Sequence, residues 1–355
     1  MLYSTPNPHG GDLYSRKILL DFSANINPYG TPEAVKQAVT DSVSDLCHYP
    51  DPYCRELVGA ISAFEEVGKE KILCGNGAAE LIFSFCRSLG PQKALVLDPC
   101  FSEYETALMA SGCEVAHFPL REEADFRLEE NFLPFLEHFD GDALMLCNPN
   151  NPTGQIISQE MLEEILTLCK RRNMFLFIDE CFLDLTDEGE NITMKPYLDC
   201  CDSLFLLKAF TKSYGMAGLR LGYGLCGNAP LLQAMGQTTQ PWNVSIPAQK
   251  AGVAALKQTA FLEKAKQTIR EQREVLTLGL RALGLRAIDS HTNYILFYSA
   301  RELREPLLEK GIQIRSCANY PGLEVGWYRV AVKLPEENQT LLAALKEILE
   351  GTPWQ

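Results

Sequence analysis

Thr211-Lys212-Ser213-Tyr214-Gly215-Met216-Ala217-Gly218-Leu219-Arg220-Leu221-Gly222-Tyr223 sets a lysine in a loop of small residues, with an arginine following it and the apolar run Leu204–Leu207 before it. A lysine is ordinarily protonated near neutral pH, with a reference pKa of about 10.4. It becomes a nucleophile toward an aldehyde only where it is desolvated or set beside other cations. Arg220 offers such a field together with a bidentate grip for an anion, and Lys208 lies close by in the chain. A surface salt bridge would use the same residue types, so the surroundings decide.

Outward from that loop, short apolar runs alternate with helical patterns. Ala94–Leu97, Glu114–Phe118, Ala143–Cys147, Met174–Ile178, Leu204–Leu207 and Leu219–Leu225 read as strands, and 101–111 and 159–172 as helices between them. This rhythm predicts an α/β fold whose large domain is a mainly parallel sheet flanked by helices. Ligands of such sheets sit beyond the carboxyl ends of the strands. After about Pro247 the pattern changes. A helical stretch to about Leu283, then strands near Asn293–Tyr298, Ile312–Arg315 and Tyr328–Val332, predict a smaller α+β domain. The large domain is expected over 46–246, and the small one from 1–45 together with 247–355.

Three further strand ends carry residues with chemical use. Cys74-Gly75-Asn76-Gly77-Ala78-Ala79-Glu80 leads small residues into a helix start, whose free N–H groups and positive dipole end seat a phosphate; a plain tight turn would look alike. Asn148-Pro149-Asn150-Asn151-Pro152-Thr153-Gly154 is a rigid turn that holds Asn amides at a strand end. Asp179-Glu180-Cys181-Phe182 offers a carboxylate that either caps a helix or pairs with a pyridine nitrogen and keeps it protonated, making the ring an electron sink. Each motif is ambiguous alone. In this order they furnish a phosphate seat, a donor to a ring oxygen, a partner for a ring nitrogen and an amine for an aldehyde.

Bulk properties narrow the classes. A chain of 355 residues exceeds one compact core, so about two domains are expected. Thirty-two basic against 46 acidic residues give a net charge of −14, which argues against nucleic acid or an anionic membrane as the main partner. It leaves room for a small anion in a locally basic pocket. No apolar run is long enough for a transmembrane helix, and Met1–Gly11 lacks the basic and apolar regions of a secretory signal. The 13 cysteines form no CxxC pair and many fall in apolar runs, as Cys74, Cys86, Cys147 and Cys226 do. Reduced, buried thiols in a cytoplasmic protein are expected, with neither a disulfide frame nor a metal site.

With these motifs in this order, the sequence resembles the fold-type I pyridoxal 5′-phosphate (PLP) enzymes of the class I/II aminotransferase superfamily over nearly its whole length, and within them the histidinol-phosphate aminotransferase branch. The resemblance implies PLP as cofactor, a seven-stranded sheet in the large domain, and a homodimer with shared active sites. By position it implies two catalytic residues: Lys212, which binds the cofactor aldehyde, and Asp179, which pairs with the ring nitrogen. Asn151 would contact the ring oxygen. Arg220, Thr211 and the amides of Ala78 and Ala79 would hold the phosphate. Tyr104, in Phe101-Ser102-Glu103-Tyr104, would stack on the ring, and Tyr49, in His48-Tyr49-Pro50, would reach the phosphate of the partner subunit. The chain departs from the pattern at Ala209, where many relatives place a Ser or Thr that donates to the phosphate, and at Phe182, where aminotransferases often have a tyrosine.

The terminal segments narrow the branch. His9-Gly10-Gly11, Leu20-Asp21-Phe22-Ser23-Ala24-Asn25-Ile26-Asn27-Pro28, the run from Ile314 to Leu323, and Tyr328-Arg329-Val330 closely resemble the L-threonine-O-3-phosphate decarboxylases, which serve cobalamin nucleotide-loop assembly. That resemblance implies a PLP-dependent carbon–carbon lyase with His9, Gly10, Asn25, Asn151, Arg315 and Arg329 on the substrate. A phosphorylated amino acid carries a carboxylate and a phosphate, and the two arginines supply two cationic forks. Histidinol-phosphate or related transamination is the competing activity, and a non-catalytic binder that keeps the fold is the competing class.

Overall fold

The computed structural model describes residues 9–351; the part of the polar start through residue 8 lies outside the described residues. In chain order the elements begin with β1 (Leu20–Asp21), α1 (Glu33–Asp41), α2 (Arg55–Glu65), β2 (Ile72–Gly75), α3 (Ala78–Leu89), β3 (Lys93–Asp98), α4 (Glu103–Ala110) and β4 (Glu114–Pro119). They continue with α5 (Phe132–His138), β5 (Ala143–Cys147), α6 (Gln159–Arg171), β6 (Phe175–Asp179), β7 (Leu204–Ala209), α7 (Phe210–Ser213), β8 (Gly222–Cys226) and α8 (Ala229–Thr238). The last part holds α9 (Ile246–Ala255), α10 (Thr259–Ala282), β9 (Arg286–Ala287), β10 (Tyr294–Tyr298), α11 (Arg304–Glu309), β11 (Ile312–Gln313), β12 (Arg315–Ser316), β13 (Trp327–Ala331) and α12 (Pro335–Glu350).

Strands β2 to β8 form one seven-stranded sheet in the order β2-β8-β7-β6-β5-β3-β4. Strand β8 runs antiparallel to both neighbours, and every other pairing is parallel. The strand not read from the sequence is β2, a short edge strand that delivers the small-residue loop to the start of α3. The inner strands are buried on both faces, and their residues alternate between two cores. Leu144, Leu146, Leu176, Ile178, Leu204 and Leu206 face one helical layer. Ala143, Met145, Phe175, Phe177, Phe205 and Leu207 face the other. That period of two explains the near-continuous apolar runs.

A four-stranded sheet, β12-β13-β10-β9, and a two-stranded parallel pair, β1-β11, make up the second unit. Its core joins Phe22 to Leu276, Leu280, Ile295, Phe297, Val330, Leu341 and Leu345. Three sequence expectations are corrected. The run Ile312–Arg315 is two strands, because the chain pairs first with β1 and then, past Ile314, with β13. The helical stretch 247–283 is two helices. Ala248, Ala251 and Ala255 of α9 and Leu262 at the start of α10 pack into the core that holds Val35 and Leu57, whereas Leu276 and Leu280 near the end of α10 serve the second core. Strand β8 starts at Gly222 rather than Leu219, because Ala217–Leu219 is a 3-10 turn and Arg220 adopts a left-handed backbone at φ 56°.

Phe85 is fully buried and meets Phe175, Phe177 and Phe205 at ring-centroid distances of 5.4, 4.9 and 5.3 Å. Phe85→Ala is expected to lower the unfolding free energy by about 3–5 kcal/mol, read as a fall in the urea midpoint. Tyr14→Ala, at a side chain 97% exposed, is expected to change it by less than about 0.5 kcal/mol.

Candidate active site

A pocket of about 460 Å³ opens at the carboxyl ends of β5, β6 and β7. Its floor follows from strand alternation. Cys147, Asp179 and Ala209 end their strands on the same face as Met145, Phe177 and Phe205, and all three line the pocket. Asp179 is buried; its Oδ1 accepts the Cys181 N–H at 2.9 Å and its Oδ2 the Tyr104 hydroxyl at 2.7 Å. Burial pushes its carboxyl up, while those hydrogen bonds and Lys212 pull the other way. Glu180 turns to the opposite face, where its carboxylate accepts the Thr193 hydroxyl at 2.8 Å and the Met194 N–H at 3.0 Å.

The same alternation corrects the reading of Lys208. It does not reinforce the field around Lys212. Its ammonium lies on the other face, between Glu65, Glu180 and Asp184 at 3.5, 3.6 and 3.6 Å. Burial opposes its charge, but Glu65, Asp184 and Glu180 outweigh burial and hold it above the usual lysine range. Lys212 is different. It lines the pocket half-buried, its ammonium 5.5 Å from the centroid of the Phe182 ring. Burial, then the cations of Arg329 and Arg220, draw its amine down to about 8. The loop that carries it is locked to the N-terminal segment. Asn27 donates its N–H to the Lys212 carbonyl at 3.0 Å and its amide to the Ser213 carbonyl at 2.8 Å. Gly215, at φ 61°, leaves no room for a side chain, since a Cβ there would fall 2.5 Å from the Gly30 backbone.

The small-residue loop forms a cradle. Gly77 has φ 80°, and a Cβ on it would lie 2.5 Å from the Arg220 guanidinium. Ala78 and Ala79 open α3, and they line the pocket together with Thr211, Ala217 and Arg220. The Asn-rich turn divides its labour. Asn148 closes the turn on the Ile157 backbone at 2.9 and 3.3 Å, and Asn150 donates to the Pro99 carbonyl and the Thr153 hydroxyl at 3.0 and 2.9 Å. Asn151 lines the pocket, and its Oδ1 accepts from Arg329.

Arg315 and Arg329 are direct partners across the β12–β13 ladder, so both project from one face, into the pocket. Arg329 is 5% exposed and also donates to the Ser23 carbonyl at 3.1 Å. Arg315 donates to the Ser316 carbonyl at 2.6 Å and to the Asn319 Oδ1 at 2.7 Å, with its guanidinium over Tyr320. His9, Gly10 and Asn25 complete the wall. Tyr49 does not join this wall; it is 78% exposed and stacks on Trp242 at 4.5 Å. Sequence reasoning assigned no role to Ser23, Glu103, Tyr320 or Tyr294. The first three line the pocket; Tyr294 lies beneath Arg329 and donates its hydroxyl to the Asn150 carbonyl at 2.9 Å. Their only sequence signal is adjacency to assigned positions.

The pocket fits PLP on several physical counts. The Gly77 cradle beneath Arg220 at a helix start matches a phosphate. The lowered Lys212 amine matches an aldehyde. Asp179, whose charge burial disfavours, gains most from a protonated ring nitrogen beside it. Two buried atoms on the pocket wall, Asn25 Oδ1 and Arg329 Nε, have no hydrogen-bond partner among the described residues, as expected where a polar ligand completes the site. All 13 cysteines are free thiols, and no group of metal-ligating side chains occurs among the described residues. No helix among them is long and apolar enough to cross a membrane.

Comparison with known proteins agrees with this geometry. The profile of the family described as Aminotransferase class I and II matches residues 17–345. A threonine-phosphate decarboxylase of Salmonella typhimurium is 37% identical over 97% of this chain and 97% of its own length. A histidinol-phosphate aminotransferase of Anoxybacillus flavithermus is 30% identical over 95% and 90%. The solved histidinol-phosphate aminotransferase from Clostridium acetobutylicum shares the fold at a TM-score of 0.87 and 30% identity, covering 93% of this chain and 99% of that one. In sequence and in fold, the chain belongs to the class I and II aminotransferase family.

Proposed function

We propose that this protein is a PLP-dependent decarboxylase that converts L-threonine O-3-phosphate to (R)-1-aminopropan-2-yl phosphate for the nucleotide loop of cobalamin. The observation that carries the reading is the facing pair Arg315 and Arg329 in one pocket with Lys212. Two guanidinium groups suit a substrate with two anionic groups, a carboxylate and a phosphate. The 37% identity to a threonine-phosphate decarboxylase supports the same substrate class, and a relative covering 97% of this chain is named for adenosylcobalamin biosynthesis.

When bound, PLP supplies an electron sink for the pair left on Cα as CO₂ departs. The protein's part is positional. Arg220, Thr211 and the Ala78 and Ala79 amides hold the phosphate of the cofactor. Asp179, steadied by Tyr104, keeps the proton on the ring nitrogen, and Asn151 faces the ring oxygen. Arg315, Arg329, Asn25, His9 and Gly10 would grip the substrate and orient its carboxylate for departure. Lys212 would hold the proton that replaces the carboxylate on Cα, so that one proton enters as one CO₂ leaves. Tyr104 would pack on the bound cofactor. We divide the chain at 46–246 for the cofactor-bearing domain and 1–45 with 247–355 for the second, whose α1 and α9 pack on each other and into the core of the first. The exposed Tyr49–Trp242 stack supports a homodimer in which Tyr49 reaches the cofactor phosphate of the partner subunit. Free thiols throughout support a cytoplasmic setting. Transamination of histidinol phosphate is the second reading, favoured by the 0.87 TM-score to a histidinol-phosphate aminotransferase.

Steady CO₂ release from L-threonine O-3-phosphate by the PLP-loaded protein, with no 2-oxo acid present, is the expected result. Absence of CO₂ together with amino transfer from histidinol phosphate would establish the second reading. Arg329→Gln is expected to cost roughly 2–5 kcal/mol in kcat/KM, about thirtyfold to several thousandfold, because it leaves a buried anion unmatched. The rate at which the apoprotein binds PLP should rise with pH through about 8, where the Lys212 amine loses its proton. It should level off above that, well before an ordinary lysine titrates. A rate still climbing toward pH 10 would mean that Lys212 is not the reacting amine.

A further inference from the structure

Among the residues that line the pocket, the acids are Asp179 and Glu103, against Lys212, Arg220, Arg315 and Arg329. Asp179 is accounted for by the ring nitrogen. Glu103, in the first turn of α4, is not, and a bare carboxylate at the mouth of a site for a doubly anionic substrate is a repulsive element. Its Oε1 lies 2.9 Å from His9 Nε2. His9 also sits 6.1 Å from Phe101, one turn before Tyr104. The segment that carries His9 is pinned again one residue on. A Cβ on Gly10 would fall 2.4 Å from the Ser23 carbonyl oxygen, and Gly11 donates its N–H to the Ser23 hydroxyl at 2.7 Å. The Ser23 carbonyl in turn accepts from Arg329. A continuous chain of contacts therefore runs from Glu103 through His9, Gly10 and Ser23 to Arg329.

We propose that Glu103 is a positioning residue: by accepting the His9 Nε2–H, it fixes the His9–Gly10 segment as the outer wall of the pocket and aims the imidazole at a phosphorylated substrate. This rests on the decarboxylase reading for the identity of the substrate, and on the pocket geometry for the role. Glu103 acts through His9.

The test compares Glu103→Ala, Glu103→Gln, His9→Ala and the double variant Glu103→Ala/His9→Ala as holoenzymes with O-phospho-L-threonine. Cofactor absorbance serves as the check on folding. Glu103→Ala should raise KM roughly fivefold to tenfold with kcat within about twofold. Glu103→Gln, which keeps an acceptor oxygen for Nε2–H, should stay within about twofold of the parent in both. The double variant should be no worse than His9→Ala alone, because the two side chains act as one unit. An unchanged or lowered KM in Glu103→Ala, a loss confined to kcat, or additive losses in the double variant would each overturn the proposal. If the parent enzyme does not turn over O-phospho-L-threonine, the decarboxylase reading fails. The same four variants titrated with histidinol phosphate then decide the role of Glu103: equal affinities overturn it, and weaker binding rescued by Gln upholds it.

Discussion

Arg329 is buried, and among the described residues its guanidinium meets neutral oxygens: the Asn151 side chain and the Ser23 carbonyl, with the Tyr294 ring 5.5 Å away. A buried cation held without a counter-charge is costly unless every donor is satisfied, and its Nε is still unpartnered. The three neighbours come from distant parts of the chain: the N-terminal segment, the Asn-rich turn of the large sheet and the second sheet. They must converge for the charge to be tolerated, and an anion must arrive for it to be fully compensated. The same cation, together with burial, depresses the Lys212 amine. In the proposed function, substrate binding and the state of the Lys212 amine thus both depend on one guanidinium.

The large sheet separates two kinds of charge by the period of its strands. At the ends of β6 and β7, Asp179 and Ala209 face the pocket, while Glu180 and Lys208 face the opposite core. There Lys208, Glu65, Glu180 and Asp184 satisfy one another, with Lys195 at 3.0 Å and the Tyr223 hydroxyl at 2.5 Å from the Glu65 carboxylate. Ser213, next to Lys212, donates to Asp184 at 3.2 Å. The buried ion cluster therefore anchors the lysine loop from behind, and its own charges stay out of the field that sets the amine. Alternation within β7 and the turn into α7 keep Lys208 in the ion cluster and Lys212 on the pocket, four positions apart in different electrostatic surroundings.

The N-terminal segment is as much part of the site as any strand end. Phe22 fills the second core, Ser23 touches Arg329, Asn25 lines the pocket, and Asn27 holds the Lys212 loop. Strand β1 pairs with β11, just before the chain crosses to the strand that carries Arg315. The cofactor cradle and the substrate wall thus reach registration through a short extended segment with almost no regular structure of its own, held by backbone groups and by close approach at Gly10 and Gly215.

The sequence by itself determined the layered α/β scaffold, since apolar runs at strand length between amphipathic helices have few other ways to bury themselves. It also determined a pocket set, because Lys212, Asp179, Asn151 and Arg220 sit just beyond apolar runs, where strand ends open a cleft, and all four line it. What it left open lies where residues meet by tertiary contact rather than by spacing. Lys208 and Lys212 are alike on paper; strand β7 turns Lys208 into the ion cluster, whereas the short helix α7 that follows carries Lys212 to the pocket. The break between α9 and α10 falls inside a run that is helical on both sides, which periodicity cannot register. The pairing of Arg315 with Arg329, the seat of Tyr294 beneath Arg329 and the tie from Glu103 to His9 join residues apart in the chain. Packing and the need to satisfy buried charge decided these, and only the folded chain brings the partners together.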